Sequence, residues 1–281
     1  MSIMKKLREY LNRPLSFIMF LLIIISTVIT ALTVVFIIGY IFIKGVPNLS
    51  LDLFSLKYSS SNQSMLPSII NTVYLTALTL LLAVPIGIFS AIYLAEYSRK
   101  NSFFVKIINI ANETLSGIPS IVYGLFGFLA FVISKKWGYS LLAGVITLAI
   151  MVLPLIIRTS QEAMLGVDNT FREAPYGLGA GKLRTVFKIV LPSAMPGILS
   201  GIILAIGRIV GETAALIYTA GTVPEAATKL TSSSRTISVH LYCLLNEGLY
   251  TEQAYATAVV LIVFVVIINA LSNALAKKIM K

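Results

Sequence analysis

Six long stretches of the chain are free of charged residues, or nearly so. None falls between Leu15 and Ile43 or between Pro67 and Ala95. Ile107 to Ile133 holds one acid, Glu113, near its start, and Tyr139 to Ile157 holds none. Ala194 to Gly221 is interrupted only by Arg208 and Glu212, and Ala254 to Ala276 is again uncharged. A helix advances about 1.5 Å per residue, so roughly 20 apolar residues cross the ~30 Å hydrocarbon core of a bilayer. The first stretch is too long for the apolar core of a signal peptide and closes on no small-residue cleavage pattern, so it reads as a retained helix. The pattern predicts an all-α polytopic membrane protein with six transmembrane helices.

Composition points the same way. Of 281 residues, 57% are hydrophobic and 12% charged, against roughly 45–50% and 25% in a soluble domain. Lys and Arg number 22 against 11 Asp and Glu, a surplus that in a soluble chain suggests nucleic acid. Its placement gives a different reason. With the N-terminus inside, Lys5, Lys6, Arg8, Arg13, Arg99, Lys100, Lys106, Arg158, Arg172, Lys182, Arg184, Lys188, Lys277, Lys278 and Lys281 all fall on the inner face. Only Lys44, Lys57, Lys135, Lys136, Lys229 and Arg235 fall outside. The positive-inside rule then places both termini in the cytoplasm of a multi-pass cell-membrane protein, with no nucleic-acid partner. One Cys and one His exclude a disulfide framework and a Cys- or His-rich metal site. No Ser-His-Asp or paired-carboxylate arrangement suggests hydrolysis, so the chain is expected to have no catalytic site of its own. Residues 1–66 form a tail, a first span and an external loop, 67–276 a five-span core, and 277–281 a cytoplasmic tail.

Three connections are long enough to carry structure. The outer loop Gly45 to Leu66 ends in Ser59-Ser60-Ser61-Asn62-Gln63-Ser64, a run suited to a mobile external segment. The outer segment 222–253 is semi-polar and suits a short re-entrant or interfacial helix. In the inner loop 159–192, Asp168 and Asn169 are candidate N-caps, and Pro175 is expected near a first turn, where its missing N–H costs little. Gly177, Gly179 and Gly181 thin out the middle, and an apolar run from Val186 to Leu191 ends at Pro192. The spacing predicts a short helix, a small-residue turn and a second short helix. A plain solvated connection is the alternative.

Glu173-Ala174-Pro175, then Gly179, then nine residues, then Ile189, Leu191 and Pro192 resembles the E-A-A loop of the membrane permeases of binding-protein-dependent ABC importers. Pro175 stands where that family has a second Ala. The resemblance implies a type I ABC importer permease fold whose cytoplasmic coupling helices seat in a groove of an ATPase subunit, with Glu173, Ala174, Gly179, Ile189, Leu191 and Pro192 at the contact. ATP and Mg would belong to that partner. The fragment Gly177-Leu178-Gly179-Ala180-Gly181-Lys182 is no phosphate-binding loop, because Tyr176 and Leu183 occupy the positions where one needs Gly and Ser or Thr.

Arg208 and Glu212 lie near the centre of the fifth stretch, where a single charge costs about 2.5–3.5 kcal/mol on insertion scales. Four apart on one helix, they share a polar or small-residue face with Gly201, Ala205, Ala215 and Thr219. Gly197/Gly201 and Gly207/Gly211 are spaced for close helix contact. Arg208 then attracts an anion along a wet path, its planar fork of donors suiting a tetrahedral oxyanion, and Glu212 holds the guanidinium in place. The alternative is that the two merely neutralise each other inside a bundle. The run GILSGIILAIGRIVGETAALIYTAGT, Leu115 to Gly127, Asn71-Thr72 and Val84-Pro85-Ile86-Gly87 together resemble the Pst-type phosphate permeases. Glu212-Thr213-Ala214-Ala215 favours the PstA-like over the PstC-like branch.

That resemblance implies a phosphate pathway through Arg208, Glu212 and Thr213, shared with a second, PstC-like permease. It also implies two PstB-like ATPase subunits and an external, PstS-like phosphate-binding protein. Phosphate near neutral pH keeps an O–H that sulfate lacks, so Glu212 is further expected to favour protonated oxyanions. A permease for sulfate or molybdate, a stand-alone anion channel or carrier, and an intramembrane enzyme remain as rival readings. His240 and Cys243 read as part of an ordinary amphipathic segment, and Glu113 either lines the inner path or caps a helix. Pro85 and Pro119 are expected to kink their spans, and Trp137 and Tyr139 suit an interfacial belt.

Overall fold

The computed structural model describes residues 14–98 and 102–279. The basic tail residues Lys5, Lys6, Arg8 and Arg13, the pair Arg99 and Lys100, and Lys281 lie outside them. Regular structure among the described residues is helical throughout. Helix α1 spans Pro14–Gly45, α2 Leu66–Ile92, α3 Phe103–Gly117, α4 Ser120–Gly127 and α5 Leu141–Leu165. Helices α6 (Thr170–Gly177) and α7 (Lys182–Thr185) precede α8 (Leu191–Gly211) and α9 (Ala214–Thr219). The last two are α10 (Ile237–Glu247) and α11 (Thr251–Ile279). Three wider π turns extend α2 (Tyr93–Tyr97), extend α4 (Phe128–Ser134) and join α7 to α8 (Val186–Val190). Five helical segments are long and apolar enough to cross a membrane, or six if α3 and α4 count as one bent span.

Helix α5 is the post of the bundle, with α2 and α8 packed along it. The α8 contact depends on glycine. A Cβ at Gly197 would lie 2.6 Å from the Ala163 Cβ, and one at Gly201 would collide with Thr159. The Gly197/Gly201 pair thus lets two backbones touch, as its spacing suggests. Gly207 and Gly211 have nothing within 4 Å of such a Cβ. The main core gathers Leu75, Leu148, Met151, Ile156, Ile209 and Leu216 from α2, α5, α8 and α9. A second cluster, Ile92, Met164, Val186, Val190, Ala194 and Ile198, lies at the end of the bundle that carries α6 and α7, the loop end. Helix α1 stands apart. Its C-terminal end meets α11, with Gly45 against the Tyr255 carbonyl and Tyr40 edge-on to Tyr255 at 5.9 Å, and most of its length is uncovered.

The third apolar stretch bends where Pro119 is expected to kink it, as two helices that meet at 100° across Ile118 and Pro119. Two local expectations are corrected. Pro175 lies in the last turn of α6, inside the helix. Pro192 does not end the second short helix. The π turn Val186–Val190 carries α7 straight into α8, giving one helical run from Lys182 to Gly211. A π turn displaces the i→i−4 ladder, so a proline two residues past it interrupts less than it would within a regular helix.

Candidate functional site

The fifth apolar stretch breaks where its charges sit. Helix α8 ends at Gly211, and Glu212 has extended backbone angles (φ −72°, ψ 131°). Thr213 turns the chain and α9 starts at Ala214. The continuous face from Gly201 to Thr219 therefore does not exist, and the expected Arg208–Glu212 pair is not formed. Instead one Glu212 carboxylate oxygen accepts the Ala215 N–H at 3.1 Å and caps α9. Four orphan N–H groups at a helix start attract such an acceptor. The Glu212 carbonyl accepts the Ser238 hydroxyl at 2.7 Å, so α10 also holds the break. Glu212 is buried and Thr213 half-buried. Arg208 is half-buried and has no ion pair among the described residues. This arrangement also removes the geometry behind Glu212 as a selector beside the guanidinium.

The two interrupted spans meet. A Cβ at Gly124 in α4 would lie 2.8 Å from the Ala215 Cα and 3.1 Å from the Ala214 carbonyl oxygen, so only glycine lets α4 close on α9 there. Tyr123 donates its hydroxyl to the Leu115 carbonyl at 2.8 Å, stitching α3 to α4 across their bend. Arg208 lies near enough to Tyr123 to act on it electrostatically. Spans broken in mid-membrane and facing each other are where many transporters hold polar cargo, because the freed backbone groups line a cavity. The sequence reading missed Tyr123 and the Gly124 contact, although Pro119 marked the place.

At the loop end α6 and α7 form a knob joined by a turn at Gly179 (φ 82°), a conformation that favours glycine. Asp168 caps α6 by accepting the Thr170 N–H at 2.8 Å, whereas Asn169 offers no side-chain cap. Glu173, Ala174 and Gly179 are exposed on the knob with Leu178 at 90% and Leu183 at 67% exposure. Ile189 and Leu191 are half-buried, Leu191 in the second core cluster, and Pro192 is exposed. The motif residues thus divide into an outer set and a set that fixes the knob to the bundle. A cavity of about 230 Å³ opens between α3 and α5 nearby, lined by Asn109, Asn112, Glu113, Arg158 and Glu162 among others. Glu113 lines it from within α3, at neither cap position of that helix.

At the opposite end, residues 222–250 fold into a cap. Asn71 donates to the Glu225 carbonyl at 2.9 Å and the Arg235 carbonyl at 3.2 Å, and accepts the Ala227 N–H at 2.8 Å. Thr72 accepts the Ile237 N–H at 2.9 Å. Arg235 stacks over Tyr58 at 4.6 Å, which ties the first loop to the cap. Among the described residues its Nε and Nη2 are buried without a hydrogen-bond partner, as are both ring nitrogens of His240. Burial and the Arg235 charge hold the His240 imidazole down to about 3.

Residues 83–281 match the family described as binding-protein-dependent transport system inner membrane component. The chain belongs to that family, and it is a multi-pass membrane protein with a permease fold. Among its relatives, a phosphate transport system permease protein PstA of Haemophilus influenzae (strain ATCC 51907 / DSM 11121 / KW20 / Rd) is 35% identical over 77% of each chain. A PstA of Yersinia pestis is 33% identical over 84% of this chain and 81% of that protein. A probable ABC transporter permease protein YqgI of Bacillus subtilis (strain 168) is 32% identical over 82% and 84%. The fold matches that of a bacterial ABC transporter involved in import of the acidic polysaccharide alginate, with a TM-score of 0.67 at 18% identity over 99% and 100% of the two chains.

Proposed function

We propose that this chain is a permease subunit of an ATP-driven importer that carries inorganic phosphate into the cytoplasm by alternating access. The loop end then faces the cytoplasm, where α6 and α7 receive the stroke of one of two ATPase subunits that hold ATP and Mg. The cap faces outward, toward a phosphate-binding protein. A second permease, PstC-like or an identical copy, completes the pathway. Arg208 offers phosphate two donors at once beside the paired breaks, and Thr213 adds a hydroxyl. Glu212 shapes the site by capping α9.

The observation that carries this reading is the meeting of two broken spans beside a guanidinium with no ion pair among the described residues, in a chain one-third identical to PstA proteins over most of its length. The test is to purify the complex from membranes, reconstitute it and supply the external binding protein. Phosphate uptake should require ATP, and sulfate or molybdate should not compete. Uptake of another oxyanion would reassign the cargo, and uptake without any ATPase would end the importer reading.

A further inference from the structure

A push on the knob has an obvious route through the chain, since α6 follows α5 and α7 leads into α8. Side chains add a second route. Arg172, in the first turn of α6, sends Nε (3.0 Å) and Nη2 (2.7 Å) to one oxygen of Glu96, 76 residues earlier in the π turn that ends α2. Its Nη1 donates to the Val167 carbonyl at 2.7 Å, and Nη2 also donates to the Met164 carbonyl at 2.8 Å. One guanidinium therefore fastens α6 to the ends of both α2 and α5.

We infer that Glu96 and Arg172 form a force-bearing joint that makes the loop end of α2 travel with the knob as one body. The inference rests on the coupling role proposed for the knob. The pair is built to carry load. The side chains are only 16% and 5% exposed, so water and salt screen them little. The second ion pair among the described residues, Arg158–Glu162, lies open to solvent within one helix and joins nothing. A further contact grips the same turn: Lys182, which opens α7, sits 4.9 Å over the ring of Tyr97, next to Glu96. Beneath both, Ile92, Met164, Val186 and Val190 pack with Ala95 and Val167, so α2, α5 and the α7–α8 run share one apolar seat. The knob cannot tilt away from α2 without unmaking the ion pair, the stacked ammonium and that seat together. Lysine at 172 would keep the charge but could not serve the carboxylate and both carbonyls in one plane.

The joint is tested in the assembled complex by phosphate imported per ATP hydrolysed. Glu96→Gln should still co-purify with the ATPase and hydrolyse ATP at the parental rate or faster, while importing roughly tenfold less phosphate per ATP. Arg172→Lys should lose less in the same direction. An unchanged ratio in Glu96→Gln overturns the joint. A second measurement needs neither variant to fold nor phosphate to be the cargo. Spin labels at Tyr93→Cys and Leu178→Cys, in a Cys243→Ser background, report the distance from α2 to the knob. It should be the same with and without ATP, although both labels move relative to one on α11. A change in that distance between nucleotide states, with Glu96 and Arg172 intact, sinks the joint even where phosphate import stands. A parental chain that retains no ATPase sinks the coupling reading and the joint with it.

Discussion

Arg208 is a cation in the last turn of α8, just ahead of the break in an otherwise apolar span, with no carboxylate partner among the described residues. Such a charge is expensive unless water or cargo reaches it. Arg208→Ala should therefore leave an assembled complex that binds its ATPase while phosphate uptake falls at least roughly tenfold, a loss of about 1.4 kcal/mol in transition-state binding. Arg208→Lys should recover part of it, because a point charge remains but the fork is lost. His240 makes a different prediction. Its folded value of about 3 lies below the 6.5 of the free group, so the unfolded chain takes up a proton first as pH falls. The stability held above pH 6.5 is lost progressively between 6.5 and about 3, by about 2 kcal/mol at pH 5. Thermal unfolding in detergent between pH 7.5 and 5 should show that slope, and His240→Phe should flatten it. The ionic environment of His240 includes Arg235, whose charge opposes protonation.

At the scale of elements, the cap depends on two side chains of α2. Asn71 makes three hydrogen bonds to backbone between Glu225 and Arg235. Asn71→Ala would leave those groups unmet at about 1 kcal/mol each. The expected result is faster proteolysis within residues 222–236, with cleavage of the α6–α7 knob unchanged; equal protection of the cap would refute the pinning role. The elements also mark how far sequence reading reached. The apolar stretches are visible because lipid imposes a length and forbids charge. Their breaks are less so. Pro119 announced one, but the apolar pattern runs through Glu212 without a pause, since a break that re-forms its helix two residues later keeps nearly the same periodicity. Pro192 misled for the opposite reason: a wide turn just ahead of it let the helix run on. Glu96–Arg172 could not be found from spacing, because nothing local links residues 76 apart.

For the whole molecule, the knob and the cap lie at opposite ends of the bundle, so orientation is a single binary question. Cysteine at Leu178 should react with an impermeant maleimide only after cells are opened, and cysteine at Leu249 in intact cells, each in a Cys243→Ser chain. Both positions are well exposed, at 90% and 81%. The reverse pattern would invert the topology and remove the knob from reach of any cytoplasmic motor. The first helix shows the other limit of reading one chain. Most of its apolar surface is uncovered here, and its sequence specifies a span without naming a neighbour.

Gly207 and Gly211 share a helix with Gly197 and Gly201 yet answer to a different authority. Among the described residues a methyl group at either outer-half position touches nothing, so alanine there should be silent for the isolated subunit. Any intolerance observed in cells would then be a message from passing cargo or from another polypeptide. The bare face of α8 thus serves as a built-in census of company: the residues whose replacement matters only when someone else is present.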